Sequence, residues 1–301
     1  MREQFCRIEV GCSVNKPVLQ SLAPSDIGIN PNEAIKSPQK TCLEPHTAAH
    51  KKVVAKFHPN VAARYKLKAI IGKGCFSRVY RVEHRLTGRP FAIKMTRKRD
   101  DRSICRVELN VLRRVRHANV IQLIEVFDTH NAMYYVLELA TGGELLDRIH
   151  ELGCFTERDA TRVLDMVIDG VRYLHSLGIT HRDLKPENLL YYHPGPDSKI
   201  LITDFGLSAF SKTANNHNME TACGTLEYIA PEILVRKPYT CQVDMWSLGV
   251  IAYVLLSGTF PFDDENRRRM FRLILKVRYS FSASVSQTRL NSCPYERAGF
   301  C

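Results

Sequence analysis

Ten cysteines stand among the 301 residues, yet none forms a C-x-x-C pair and their spacing is irregular. A structural zinc site and a disulfide framework are therefore both excluded as the organising device. Unpaired thiols in this number suit a reducing compartment, so the expected location is the cytoplasm, with a membrane-associated or nuclear pool left open. Long apolar runs are also missing. The longest, residues 245–256, is too short to span a bilayer and directly follows Asp244, so it reads as a buried helix. The N-terminus shows no apolar core followed by a small-residue cleavage site, which argues against secretion. Negative charge is in deficit, with 31 Asp+Glu against 43 Lys+Arg and a net charge of +12. That balance favours anionic partners such as nucleotide phosphate, an anionic membrane or nucleic acid. The basic clusters Arg97-Lys98-Arg99, Arg113-Arg114 and Arg267-Arg268-Arg269 carry no interleaved aromatics on which bases would stack, so no nucleic-acid partner is expected.

With 45% hydrophobic and 25% charged residues, the chain fits one large domain, or two lobes with an appendage. Pro17, Pro24, Pro31, Pro38 and Pro45 break any periodicity across residues 1–55, which read as a disordered arm. Cys6 and Cys12 lie near basic residues and offer weak support for reversible acylation and membrane association.

The chemistry gathers at His181-Arg182-Asp183-Leu184-Lys185-Pro186-Glu187-Asn188, followed after a short apolar strand at residues 199–203 by Asp204-Phe205-Gly206. An Asp and an Asn on one short loop, faced by a second Asp, bring oxygen ligands to one point and suit Mg²⁺. Phosphoryl transfer needs a hydroxyl aligned with a phosphorus and charge neutralised on its oxygens, more than it needs covalent chemistry. Asp183 can do the first, and Lys185 adds a cation for the second.

Upstream, residues 66–71 alternate like a half-buried strand and lead into Ile71-Gly72-Lys73-Gly74-Cys75-Phe76-Ser77-Arg78-Val79. Small residues here let the backbone approach phosphates, while Ile71 and Val79 can pack on an adenine ring. By itself this is equally a hairpin turn. The next strand carries Ala92 and ends near Lys94, placed to reach the α- and β-phosphates. Residues 102–116 show helical spacing, and Glu108 on that helix can pair with Lys94. Strands are expected at 121–127 and 133–139. They run into a linker where Leu137 borders the pocket, Glu138 and Ala140 offer backbone groups to adenine, and Glu144 opens the next helix. Glu144 can accept a ribose hydroxyl or a substrate arginine; equally, it can serve the helix dipole. A helix across residues 156–177, with Thr156 at its cap and Gly178 at its stop, delivers the catalytic loop. Residues 207–223 form a polar segment with Ser208, Ser211, Thr213 and Thr221, to be ordered by phosphorylation, and Arg182 can clamp such a phosphate. Gly224-Thr225-Leu226-Glu227-Tyr228 and Ala230-Pro231-Glu232 come next, before Asp244-Met245-Trp246.

Taken together, residues 57–282 resemble a eukaryotic serine/threonine protein kinase of the calmodulin-dependent group, and within it the protein serine kinase H subfamily. Beside the catalytic motifs, the likeness rests on residues 69–79, 138–145, 155–162, 191–195 and 234–240. It implies an α+β, two-lobed fold: a β-rich N-lobe at about 65–139 and a helical C-lobe at about 140–282. The kinase domain spans 56–282, and residues 283–301 form a tail that does not match. ATP and Mg²⁺ are the implied cofactors. Asp183 resembles the catalytic base, Lys185 the phosphate-contacting lysine, Asn188 and Asp204 the metal ligands, and Lys94 with Glu108 the family's ion pair. Leu112, Leu123, His181 and Phe205 map onto a stacked regulatory spine, and Thr221 onto the activating phosphosite. Glu144 and Glu187 imply protein substrates with a basic residue before the target hydroxyl, with Thr225 beside them in substrate binding.

Two departures stand out. Leu226 replaces the proline of G-T-P-E-Y, and beyond residue 282 the family's further helices have no counterpart. Those helices supply an arginine for Glu232, and Arg289 and Arg297 lie in no matching motif. The expectation is an incomplete C-lobe in which a buried, unpaired Glu232 costs about 3–5 kcal/mol. The alternative function is accordingly a nucleotide-binding interaction protein with little or no catalysis.

Overall fold

The computed structural model describes residues 57–74, 77–98, 102–210, 219 and 223–280. The expected arm at 1–55 with Cys6 and Cys12, the loop residues Cys75 and Phe76, Ser211, Thr213 and Thr221, and the tail at 283–301 with Arg289 and Arg297 lie outside the described residues.

Alternating apolar positions build an antiparallel sheet from β1 (Tyr65–Lys73), β2 (Ser77–His84), β3 (Pro90–Arg97), β4 (Leu123–Asp128) and β5 (Ala132–Leu137), in the order β1-β2-β3-β5-β4. Tyr80, Val82, Ile93, Tyr134 and Val136 point into one cluster beneath it. A short helix, α1 (Pro59–Arg64), precedes the sheet and is absent from the sequence reading, because six residues hold too little periodicity to signal a helix. Val61 is fully buried, Phe57 meets Tyr80 edge-on at 5.0 Å, and Arg64 pairs with Glu125 at 2.6 Å.

The helix expected over 102–116 is shorter: α2 runs Arg102–Leu112. At its end Arg114 N–H donates to Val111 O, a tightened turn, and Val115 enters the core from that turn at 1% exposure. Its burial imitates helical spacing without a helix. The strands also shift from 121–127 and 133–139. Ile121 N–H bonds to Ile202 O instead of to β5, while residues 138 and 139 leave the sheet for the linker.

The second half contains α3 (Leu145–Leu152), α4 (Glu157–Ser176), β6 (Ile179–Thr180), β7 (Leu189–Tyr191), β8 (Ile200–Ile202), β9 (Ala209–Phe210), α5 (Pro231–Leu234), α6 (Gln242–Ser257) and α7 (Arg267–Leu275). Single turns of 3-10 helix lie at Pro186–Asn188, Phe205–Leu207 and Leu226–Tyr228. Thr156 caps α4, its Oγ1 accepting from Asp159 N–H at 3.2 Å, and Gly178 takes φ +69° after its end. Val163, Val167, Val171 and Leu174 of α4 face Leu248, Ile251 and Leu255 of α6 in a core that also takes Leu112 and Tyr135 from the sheet half. Sheet and helices thus share buried apolar surface, which fixes the cleft between them. Among the described residues no helix is long and apolar enough to cross a membrane.

The linker after β5 is fastened to the β7–β8 hairpin. Thr141 N–H donates to Tyr192 O, Gly142 N–H to Tyr191 O, and Tyr191 N–H to Gly143 O, each at 2.9 Å. A Cβ on Gly142 would lie 2.3 Å from His193 O and 2.5 Å from Tyr191 Cβ. Gly142→Ala is therefore expected to push the linker off the hairpin and destabilise the protein by about 1–3 kcal/mol, measured by urea unfolding.

Candidate active site

Asp244, in the first turn of α6 and 1% exposed, holds the catalytic loop from below. Its Oδ2 accepts the His181 N–H and its Oδ1 the Arg182 N–H, each at 2.9 Å, and His175 Nε2 donates to it at 2.8 Å. Arg182 sits at φ +70°, a left-handed conformation that a non-glycine residue keeps only when its surroundings enforce it. Its Nε donates to Leu207 O at 2.6 Å and its NH1 to Tyr239 OH at 3.1 Å. The guanidinium expected to clamp a phosphate is thus engaged by neutral acceptors, one of them directly after Asp204-Phe205-Gly206. His181 Nε2 lies 3.0 Å from Thr203 O and its Nδ1 receives the Asp183 N–H at 3.3 Å, which together assign the Nε2–H tautomer.

Asp183 is held on three sides. Lys185 Nζ lies 2.8 Å from its Oδ2, Thr225 Oγ1 donates to its Oδ1 at 3.0 Å, and Lys185 also donates to Thr225 Oγ1 at 2.7 Å. Asn188 Nδ2 donates to Asp183 O at 2.7 Å and to its Oδ2 at 3.3 Å. Thr225, assigned to substrate binding from sequence, has its hydroxyl closed into this ring with Asp183 and Lys185. Asn188 O then receives both Thr203 N–H and Thr203 Oγ1, tying the loop to the residue before Asp204.

From the sheet side, Lys94 on β3 donates to Glu108 of α2 at 2.6 Å and to Asp204 at 2.8 Å. Glu108 is 3% exposed. Burial raises its carboxyl above the ordinary range, and the Lys94 charge only partly offsets that. The Lys94 charge holds the Asp204 carboxyl down at about 2, against an opposing effect of burial. Burial also pulls on the Lys94 ammonium, but the charges of Asp204 and Glu108 outweigh it and raise the group. All three are thus linked, with Lys94 and Asp204 firmly ionised. Asp204 itself takes φ +64°. An ionised Asp204 and the Asn188 amide, whose nitrogen is turned to Asp183, fit a hard cation that takes few protein oxygens and completes its shell elsewhere. No cluster of three or more His, Cys, Asp or Glu residues suited to a metal occurs among the described residues.

Above the cleft, Lys73 pairs with Arg78 and Gly72 with Val79 across the β1–β2 turn, and Gly74 N–H donates to Ser77 O at 2.9 Å. Ile71 remains 48% exposed, so the adenine-packing role foreseen for it has an open face to use. Ala92 is buried and registers with Leu137 across β3–β5. At the linker Glu138 N–H is taken by Gln122 O at 3.1 Å, and its Oε1 accepts Gln122 N–H at 2.9 Å. Of the backbone groups of Glu138, only its carbonyl is left to face an adenine. Glu144 opens α3 in a reciprocal capping arrangement, with Asp147 Oδ2 accepting its N–H at 3.1 Å, so the helix-dipole reading describes part of its work. Glu187 Oε2 is enclosed and has no hydrogen-bond partner among the described residues. Glu232 corrects an expectation: it is half-buried, so water still reaches it and the full penalty of a buried, unpaired carboxylate does not arise.

Comparison with known proteins agrees with this geometry. Residues 65–296 match the protein kinase domain. The chain belongs to the protein kinase family. Serine/threonine-protein kinase H1 of Homo sapiens is 67% identical over 240 residues, covering 79% of this chain and 57% of that protein. Serine/threonine-protein kinase H2 of Homo sapiens is 62% identical over 230 residues, covering 76% and 60%. Calcium/calmodulin-dependent protein kinase type 1 of Macrobrachium nipponense is more distant, at 47% over 229 residues, covering 75% and 66%. The chain thus spans less than two thirds of the kinase H relatives it matches.

Within this kinase fold His181 and Phe205 stack edge-on at 5.2 Å, Leu112 and Phe205 are buried, and Leu123 packs against the same core. Sequence reasoning placed Asp244 only as a general anchor and missed His175 and Tyr239. The sole signal for Asp244 was an acid opening an otherwise apolar helix; nothing in the sequence joins Tyr239 to Arg182. Lys94→Met is expected to raise the Asp204 carboxyl from about 2, because burial then acts without the ammonium's opposing charge, and to raise Glu108 further. Carboxyl carbon NMR titration measures both shifts.

Proposed function

We propose that the chain transfers the γ-phosphate of ATP to serine or threonine hydroxyls in protein segments with basic residues near the target. The observation that carries this reading is the closed ring of Asp183, Lys185 and Thr225, joined through Asn188 and Thr203 to Asp204, and through Asp204 to Lys94. A carboxylate fixed by two partners points one way, and a substrate hydroxyl that donates to it is oriented towards a phosphorus on the Lys94 side. Lys185 balances the charge on Asp183 and is within reach of the transferring group. Lys94, kept ionised by two carboxylates, offers its ammonium to phosphate oxygens, while Glu108 keeps it from turning to solvent. Asn188 and Asp204 would hold Mg²⁺, which when bound neutralises charge on the phosphate oxygens. The open face of Ile71, with Ala92 and Leu137, would pack on a flat ring, and Glu138 O would accept from its edge.

Basic substrates are favoured by Glu187, whose Oε2 lacks a partner among the described residues. An unpaired carboxylate oxygen is costly, and an incoming guanidinium relieves that cost. Glu144 adds a second carboxylate. Thr221, mapped from sequence onto the activating phosphosite, remains the proposed regulatory residue.

Asp183→Asn is expected to lower the turnover of a serine peptide by about 10²–10⁴-fold while leaving nucleotide binding, read by thermal shift with Mg²⁺-ATP, unchanged. Nucleotide binding without phosphate transfer in the unaltered chain would instead favour the interaction-protein reading. Glu187→Gln should raise KM for an arginine-containing peptide by about tenfold with kcat nearly constant. A substitution that lowered kcat alone would remove Glu187 from substrate recognition.

A further inference from the structure

From Arg267 to Lys276, every exposed residue of α7 and its C-cap is a cation: Arg267, Arg268, Arg269, Arg272 and Lys276. The remaining positions face inward, with Met270 and Ile274 buried in the cluster formed by α5, α6 and Phe262. No residue of this stripe makes an ion pair with any described residue. Among the described residues, its one cation–π contact is Arg267 over the Phe271 ring, at 5.8 Å. Asp263, Asp264 and Glu265 stand just before the helix, yet Asp264 Oδ1 accepts Asn266 N–H and the acids do not reach the arginines.

Such a surface opposes the stability of its own helix. Three arginines occupy the first turn, where the helix dipole repels cations. Arg268 and Arg272, then Arg272 and Lys276, are like charges one turn apart, and each such pair is destabilising. Solvated helix faces ordinarily mix both signs. A one-sign face that works against local structure points to an external anion.

We propose that the α7 stripe is a docking surface for an extended, acidic segment of a partner protein. The spacing selects that shape. Arg268, Arg272 and Lys276 rise along one face at about 6 Å intervals, and an extended chain presents alternate side chains to one side at about 6.7 Å. Carboxylates at every second residue therefore meet successive cations, with Arg269 beside them within the same arc of about 100°. A membrane fits less well, since the apolar face of α7 is already in the core and has nothing to insert. Nucleic acid fits less well because no aromatic shares the exposed stripe for base stacking. Being remote in chemistry from the acidic residues proposed for substrate recognition, this surface adds an opposite-charge requirement to the partner.

The test uses the full chain and two labelled peptides of equal charge in fluorescence anisotropy. One has glutamates at alternate positions between serines, and the other has them in a single block at one end. The alternating peptide is expected to bind more tightly, with an affinity that weakens as salt rises. The triple variant Arg268→Glu, Arg272→Glu, Lys276→Glu should lose at least about tenfold of that affinity. A thermal melt checks its fold, and transfer to a short basic peptide should be unchanged. Equal binding of both peptides, undiminished binding by a folded triple variant, or tighter charge-dependent binding to phosphatidylserine vesicles or a poly-uridine RNA would each overturn the proposal.

Discussion

One buried carboxylate organises the lower half of the cleft. Asp244 accepts two successive backbone N–H groups, from His181 and Arg182, and the His175 ring donates to it as well. Because Arg182 is in a left-handed conformation, the chain at that point would relax elsewhere if the two bonds were absent. The same residue that is strained in its backbone uses its side chain to catch Leu207 O and Tyr239 OH. Asp183, next in sequence, inherits its direction from this arrangement. A carboxylate at a helix N-terminus is favoured by the helix dipole, so α6 helps hold Asp244 where the loop uses it.

The upper half depends on a different balance. Lys94 is shared between Glu108 on α2 and Asp204 on the loop after β8. Burying Glu108 is unfavourable by itself, and the ammonium beside it makes that burial tolerable. Since α2, β3 and the Asp204 loop each contribute one member, the cluster also reports whether the three segments are in register with one another. A movement of α2 would separate the pair and leave a buried carboxylate alone.

Legibility followed the range of each interaction. The caps of α4 at Thr156 and Gly178 could be read because the groups involved lie within a turn of each other. The pairing of Lys94 with Glu108 was also accessible, through the motif interval together with helical spacing. In contrast, α1 was invisible because it is stabilised by Val61 in the core and by Arg64 on Glu125, partners some sixty residues apart in the chain. Val115 produced an overlong α2, since burial from a turn and burial from a helix leave the same apolar mark in a sequence.

Residue type and order alone singled out the candidate groups: a carboxylate at 183, an amide at 188, a carboxylate at 204 and a lysine at 94, each within a recognisable run. They also pointed to a mainly stranded first half and a mainly helical second half, because side-chain periodicity is a local property. Tertiary structure decided how these groups are used. It closed Thr225 onto Asp183, turned Arg182 towards Tyr239, kept Glu232 only half-buried and left α7 with a face of one charge. Those outcomes depend on contacts between segments that are distant in the chain, and on what each side chain finds within a few ångströms once the core has formed.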